Sequence, residues 1–229
     1  MFQHKNILVF AAHQDDETIG CGASIRKWTD AGSNVEVVFI TDGATGVDHG
    51  NKYTSDNIIT TRQYEAHLAG QVLGVKDIHN LYVECQKVEY SREFFHKVIK
   101  LIREKKPDLV ITHSENDKHR DHRNTSLIIK EACWKASEAV LPELGKTHKV
   151  KDLWAFEITD PLPEVDFVVD VTESFDVKMK AMSFYDSQEQ VISGINDYLD
   201  GLSKVRGYEI GKSRGEAFKR ISVFPLEVF

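Results

Sequence analysis

Two short stretches of the sequence gather side chains that can hold a cation or move a proton. The first, Ala12-His13-Gln14-Asp15-Asp16-Glu17, sets an imidazole before three consecutive carboxylates. The second, His113-Ser114-Glu115-Asn116-Asp117-Lys118-His119-Arg120-Asp121-His122, interleaves histidines and acids. Asp15, Asp16 and Glu17 side by side repel one another and resist desolvation unless something cationic offsets them. A divalent metal is the simplest offset. Imidazole combined with carboxylate oxygen suits zinc, and iron as well, with one position left open for water. His13 and Asp16 flank two residues in a turn, and His122 can close the face from the second stretch. Asp15 and His119 are then left unliganded but adjacent, as a base and an acid would be.

Both stretches directly follow strand-like segments. Residues 6–12 form a continuous apolar run bounded by polar residues, the pattern of a strand buried on both faces of a parallel sheet. A helix is predicted over 18–31 with Gly32 as its stop, then a strand over 35–40, an amphipathic helix over 55–73 ended by Gly74, and a short strand over 80–83. Phe94, Phe95, Val98, Leu101 and Ile102 fall at helical spacing within 91–105, Pro107 introduces a strand over 109–112, and a helix follows over 122–140. Further strands are expected at 154–158, 167–171 and 221–224, and further helices at 175–185 and 188–201. Such alternation implies an α/β fold with a mostly parallel sheet and helices on both faces. In the usual doubly wound order strands one and four are neighbours, and ligands bind at the carboxyl ends of the strands, so both polar stretches open into one crevice. Five prolines and no linker or repeat favour one domain over residues 1–229.

Composition narrows the classes. With 29 Lys and Arg against 36 Asp and Glu the formal charge is −7, and no basic block occurs, which disfavours a dedicated nucleic-acid binder. The apolar run at 7–12 is too short for a signal sequence or a membrane span, so a cytoplasmic protein is expected. Cys21, Cys85 and Cys133 form no CxxC pair and read as reduced, structural residues. Of the ten histidines, His4, His49, His67, His79, His96 and His148 have no clustered partner and read as surface or satisfied, and His113 as a brace for its loop.

The segment AHQDDETIGCGASI resembles the AHPDDE signature of the PIG-L/LmbE-like zinc-dependent N-acetylglucosaminyl de-N-acetylases, and HRDHRNT resembles their HPDH motif. The similarity extends through Thr41-Asp42-Gly43, Arg62 with Glu65, Leu73-Gly74-Val75, Pro107-Asp108, Lys178 with Ala181, Ser187-Gln188 and Glu216-Ala217-Phe218, most of the chain. The resemblance implies a Rossmann-like fold and hydrolysis of an N-acetyl group. It implies one Zn2+ per chain, with Fe2+ as the alternative, held by His13, Asp16 and His122. It further implies Asp15 as general base, His119 as an imidazolium that stabilises the oxyanion, Asp121 as the orienter of a histidine, and Arg62 as a residue lining the sugar pocket. The implied partner is a small N-acetylated amino sugar or glycoconjugate, with no nucleic acid or membrane, in a chain free to form a homo-oligomer. Gln14 and Arg120 replace prolines of the two motifs, so altered loop stiffness with retained ligation is expected, and Tyr185 stands where many relatives carry histidine.

Competing functions are weaker. Gly20-Cys21-Gly22 with Asp42 is similar to a dinucleotide fingerprint, but Ile25 occupies the third glycine position and Asp15 and Asp16 would face an anionic pyrophosphate. Gly207-Tyr208-Glu209-Ile210-Gly211-Lys212-Ser213 is one residue short of a P-loop, and no GxSxG elbow occurs. A non-catalytic sugar or metal binder would have no need of Asp15. The stretches 43–55, 84–91 and 141–151 are expected to shape the rim, and none of them encodes a readable aglycone preference.

Overall fold

The computed structural model describes residues 4–46, 55–189 and 191–223, with residues 55 and 56 described in main chain only. His49, most of the 43–55 stretch and Phe224 lie outside the described residues. In chain order the elements are β1 (Asn6–Ala11), α1 (Asp16–Asp30), β2 (Asn34–Thr41), α2 (Ser55–Leu73), β3 (Asp77–Val83), α3 (Arg92–Lys105), β4 (Leu109–His113), α4 (Arg120–Ser137), β5 (Asp152–Phe156), β6 (Phe167–Asp170), α5 (Phe175–Met182), α6 (Ile195–Glu209) and β7 (Gly215–Arg220). The strands form a seven-stranded sheet in the order β3-β2-β1-β4-β5-β7-β6. The first five are mutually parallel, and β7 runs antiparallel to both β5 and β6. The expected neighbouring of strands one and four is observed, with Val9 paired to Ile111.

Successive side chains of a strand point to opposite faces, and β1 is apolar on both. Ile7, Val9 and Ala11 pack with residues of α1, α2 and α5, whereas Leu8 and Phe10 pack with residues of α3 and α4. Helices on both faces explain why β1 reads as an unbroken apolar run rather than an alternating one. The ends of α3 are written in its residues: Ser91 accepts from the N–H of Phe94 at 3.2 Å, and Lys106 turns left-handed at φ 50° before Pro107.

Three expectations need correction. The last helix is α6 at Ile195–Glu209 rather than 188–201, because Gly194, left-handed at φ 78°, is its N-cap and separates it from the residues before. The final strand, β7, precedes the expected 221–224 segment; Gly215, Glu216, Ala217 and Phe218 are its buried residues, and Ile221 and Val223 after it pack against the core without forming a strand. The stretch 141–151 does not border the crevice. It packs at the amino end of β4, where His148 Nε2 lies 2.8 Å from the carbonyl oxygen of Pro107 and the N–H of Lys151 donates to Asp108 at 3.0 Å.

Candidate active site

The turn between β1 and α1 carries the first polar stretch and is held from several sides. Asp15 has φ 135° and ψ −28°, a conformation that a side chain with a Cβ rarely adopts, and such strain clusters at functional sites. Its carbonyl oxygen accepts from the N–H groups of Thr18 at 3.0 Å and Ile19 at 2.9 Å. Gln14, in place of the motif's proline, is buried and donates from Nε2 to the carbonyl oxygen of Thr41 at 3.0 Å, while Thr41 Oγ1 donates to that of Ala12 at 2.8 Å. The loop is therefore tied to the end of β2.

From β4 and α4 the second stretch meets this turn. His13 Nδ1, Asp16 Oδ2 and His122 Nε2 form a nearly equilateral triangle with edges of 3.1, 3.3 and 3.3 Å. The other nitrogen of each imidazole faces an acid. His13 Nε2 lies 3.3 Å from Asp121 Oδ2, which also accepts from the N–H of Gln86 at 2.7 Å. His122 Nδ1 lies 3.1 Å from Asp117 Oδ2, a charge contact outside straight hydrogen-bond geometry. Asp121 thus faces His13 in particular, and Asp117, to which the sequence reading gave no role, faces His122.

His119 sits at the N-cap of α4, where its Nδ1 accepts from the N–H of Asp121 at 3.2 Å, so the ring proton belongs on Nε2. Its ring centroid is 4.7 Å from that of His13 and 4.6 Å from that of His122. Burial first, then the charges of His13 and His122, lower its pKa below the ordinary imidazole value. His113 is fully buried and stacks on His122; its Nε2 accepts from the N–H of Ala12 at 2.8 Å and lies 3.4 Å from Asp16 Oδ2.

The site packs buried charges of both signs against one another. Burial alone would depress His13, but its contacts with Asp121 and Asp16 outweigh that and raise its pKa well above the ordinary value. For His122, burial is likewise outweighed by the Asp16 charge and by Asp117, and the pKa rises to about 9. Burial would raise Asp16, yet the charges of His122 and His113 hold it well below the usual carboxylate range. Burial dominates at Asp15 and pushes it to about 7 against the opposing charge of Arg62. Protons thus gather where a cation bound by the same atoms would sit.

Several partners had no local signal. Arg62 is buried and bonds inward to the carbonyl oxygen of Gln14 at 2.6 Å and the Asp15 carboxylate at 3.3 Å. Glu65, one turn on, accepts from the N–H and the hydroxyl of Ser187 at 2.8 and 2.6 Å. Tyr185, at the position where many relatives carry histidine, donates to Glu17 at 2.6 Å and is buried. Cys85 donates from Sγ to Thr41 Oγ1 at 3.3 Å; burial would raise its thiol pKa, but the neighbouring His13 and Thr41 lower it. Asp42 Oδ1 accepts from the N–H groups of Ala44 and Cys85, which ties the loops after β2 and β3 together. The Gly207 to Ser213 segment ends α6 instead of starting a helix, which removes the P-loop reading. A separate cluster of Glu36, Asp77 and His79 already has a cation, since Lys105 Nζ lies 2.7 Å from Glu36.

Residues 8–133, more than half of the chain, match the family described as GlcNAc-PI de-N-acetylase, PIG-L. The chain belongs to the PIG-L family. The matched span of the PIG-L family includes both polar stretches and Arg62. The chain is similar to diacetylchitobiose deacetylase of Thermococcus kodakarensis, at 28% identity over 94% of this chain and 82% of the relative. Among solved structures, N,N'-diacetylchitobiose deacetylase from Pyrococcus horikoshii superposes with a TM-score of 0.86 at 25% identity, covering 96% of this chain and 85% of that one. GalB, the 4-carboxy-2-hydroxymuconate hydratase of Pseudomonas putida KT2440, shares the fold with a TM-score of 0.84 at 20% identity, covering 98% of both chains. Among the described residues no helix is long and apolar enough to cross a membrane.

Proposed function

We propose that this PIG-L family member is a metal-dependent hydrolase that removes the acetyl group from an N-acetylglucosaminyl-type substrate, acting as a single domain over residues 1–229. The triangle of His13, Asp16 and His122 with Asp15 beside it carries the proposal. Zinc bonds of about 2.0–2.1 Å in tetrahedral geometry place neighbouring ligand atoms about 3.3 Å apart, which matches the observed edges of 3.1 to 3.3 Å. Zn2+ is the expected ion, with Fe2+ as the alternative. Three free, buried cysteines suit a reducing cytoplasm.

A divalent cation held by these three residues would supply Lewis acidity, polarising the acetamide carbonyl and acidifying water. Asp121 hydrogen-bonds the ring nitrogen of His13 that faces away from the triangle and so orients that ring, and the charge of Asp117 lies against the corresponding nitrogen of His122. Asp15, with its pKa near 7, accepts a proton from the attacking water as the oxygen adds to the acetyl carbon. His119 Nε2–H donates to the developing oxyanion. Asp15 passes its proton to the nitrogen as the carbon–nitrogen bond breaks, and the acetic acid formed gives up its own proton to the amine, so that acetate and a protonated amino sugar leave.

The names of the Thermococcus and Pyrococcus relatives support a substrate built on N-acetylglucosamine, whereas the hydratase neighbour warns that the fold alone does not choose the reaction. The test is acetate and amine release from a panel containing diacetylchitobiose, N-acetylglucosamine and other N-acetyl sugars, together with elemental analysis of the protein. About one zinc per chain is expected, lost in His13→Ala and His122→Ala and kept in an inactive Asp15→Asn. Full activity in Asp15→Asn, or zinc content unchanged in both histidine variants, would overturn the reading.

A further inference from the structure

Helix α1 is broken. Cys21 has φ −148° and ψ 21°, so the turn that starts at Asp16 is separated from the rest of the helix. A break in a helix exposes carbonyl oxygens at the end of the first segment and N–H groups at the start of the second, and burying them unpartnered is unfavourable. Both sets are met by side chains from distant parts of the chain. Glu216 of β7 accepts from the N–H of Ala23 at 3.1 Å and of Ser24 at 2.7 Å, one carboxylate oxygen each. Lys178 of α5 donates to the carbonyl oxygen of Ile19 at 2.7 Å and to Glu216 at 2.6 Å. Both side chains are buried. Their signs suit the two helix ends they touch: a carboxylate at an N-terminus and an ammonium at a C-terminus. Close packing reinforces the arrangement, since a Cβ on Gly20 would come within 2.4 Å of Phe156 and one on Gly22 within 3.3 Å of both Lys178 and Thr18.

We propose that Lys178 and Glu216 are positioning residues for the site: they clamp the break in α1 and thereby fix the angle at which its first turn presents Asp15 and Asp16. The pair adds no group to the reaction. It acts through the main chain of residues 19–24, and that segment carries the first turn. A continuous helix would need no such partners, so the ion pair and the kink are parts of one device. The inference rests on the reading of Asp15 and Asp16 given above.

The experiment compares Glu216→Gln with Glu157→Gln, which breaks a second buried ion pair, Arg206–Glu157, whose nitrogen and oxygen lie 2.7 Å apart and whose carboxylate hydrogen-bonds Arg206 and the N–H of Leu162 but no main-chain group of α1. Amide hydrogen exchange over residues 16–24, zinc affinity by chelator competition, and kcat against KM are measured on each full-length protein. Glu216→Gln is expected to speed exchange in that segment about 10-fold or more, to weaken zinc binding about 10- to 100-fold as loss of supporting interactions around a metal site does, and to lower kcat with KM nearly unchanged. Glu157→Gln is expected to lower Tm without any of these effects. The double variant Lys178→Met/Glu216→Gln leaves no unpaired buried charge and serves where the single variant does not fold. Wild-type exchange and zinc affinity in a folded Glu216 variant would overturn the clamp. Failure of the unaltered protein to bind zinc would overturn the reading of the site instead, and the exchange measurement would still decide the clamp.

Discussion

Arg62 clamps Asp15: one guanidinium nitrogen bonds the main-chain oxygen of Gln14 at 2.6 Å and lies 3.3 Å from the Asp15 carboxylate. The strained residue proposed as the base is thus held at both main chain and side chain by a cation from α2. Arg62 opposes the upward push of burial on Asp15. Removing that cation raises the pKa further, and a base must be unprotonated to act. Arg62→Met is therefore expected to shift the acidic limb of the kcat/KM profile to higher pH and to lower the rate at neutral pH by about 100-fold, the scale of a misplaced catalytic group. A pH–rate series checks this, and a limb that stays in place or moves to lower pH counts against the clamp.

Asp121 and Asp117 face the outward nitrogens of His13 and His122 at 3.3 and 3.1 Å. Asp121→Asn and Asp117→Asn are each expected to weaken zinc binding about 10- to 100-fold, with the fold retained. Chelator competition measures it. Unchanged zinc affinity accompanied by lost turnover would move these acids from orientation into the reaction itself.

Proton and metal compete for the same triangle. A group whose pKa is raised on folding adds stability that is complete below its unfolded value and disappears as pH rises through its folded value. For His122 that window runs from 6.5 to about 9, and His13 shifts in the same direction. Asp15, raised from 3.8 to about 7, also disfavours the folded state as it ionises. Metal-free protein should lose stability to urea across the His122 window while zinc affinity climbs, because binding expels the imidazole protons. Metal-free stability that rises from pH 6.5 to 9 would contradict these shifts.

Gly20 is fixed by contact rather than by conformation. Its missing Cβ would lie 2.4 Å from Cδ2 of Phe156, a fully buried ring that also meets His113 edge-on. Gly20→Ala should destabilise by about 1–3 kcal/mol, as overpacking does. Denaturant unfolding with Phe156→Leu in a double-mutant cycle should show part of that loss recovered; strictly additive effects would mean that the two residues do not collide.

The glycines at 20 and 22 also show how a local pattern can mislead: their spacing is similar to a phosphate-binding turn, yet they serve a kinked helix packed against β5 and α5. Other local patterns carried over directly. The unbroken apolar run of β1 and the turn residues around α2 and α3 depend on neighbours a few positions away, so the strand–helix alternation and the facing of β1 and β4 were legible in the chain itself. So were the residue types of the proposed site, because His13 and Asp16 share one turn and His119 and His122 share another. Tertiary structure alone decided the partners. Asp117 was in plain view without a role, Gln86 and Cys85 reach the site from the loop after β3, and Arg62 turns inward to Asp15. Lys178 and Glu216 lie more than 150 residues from the main-chain groups they satisfy in α1. A buried polar group is stable only with a hydrogen-bonding partner, and which partner arrives is set by how the sheet and helices stack, a property that no window of neighbouring residues contains.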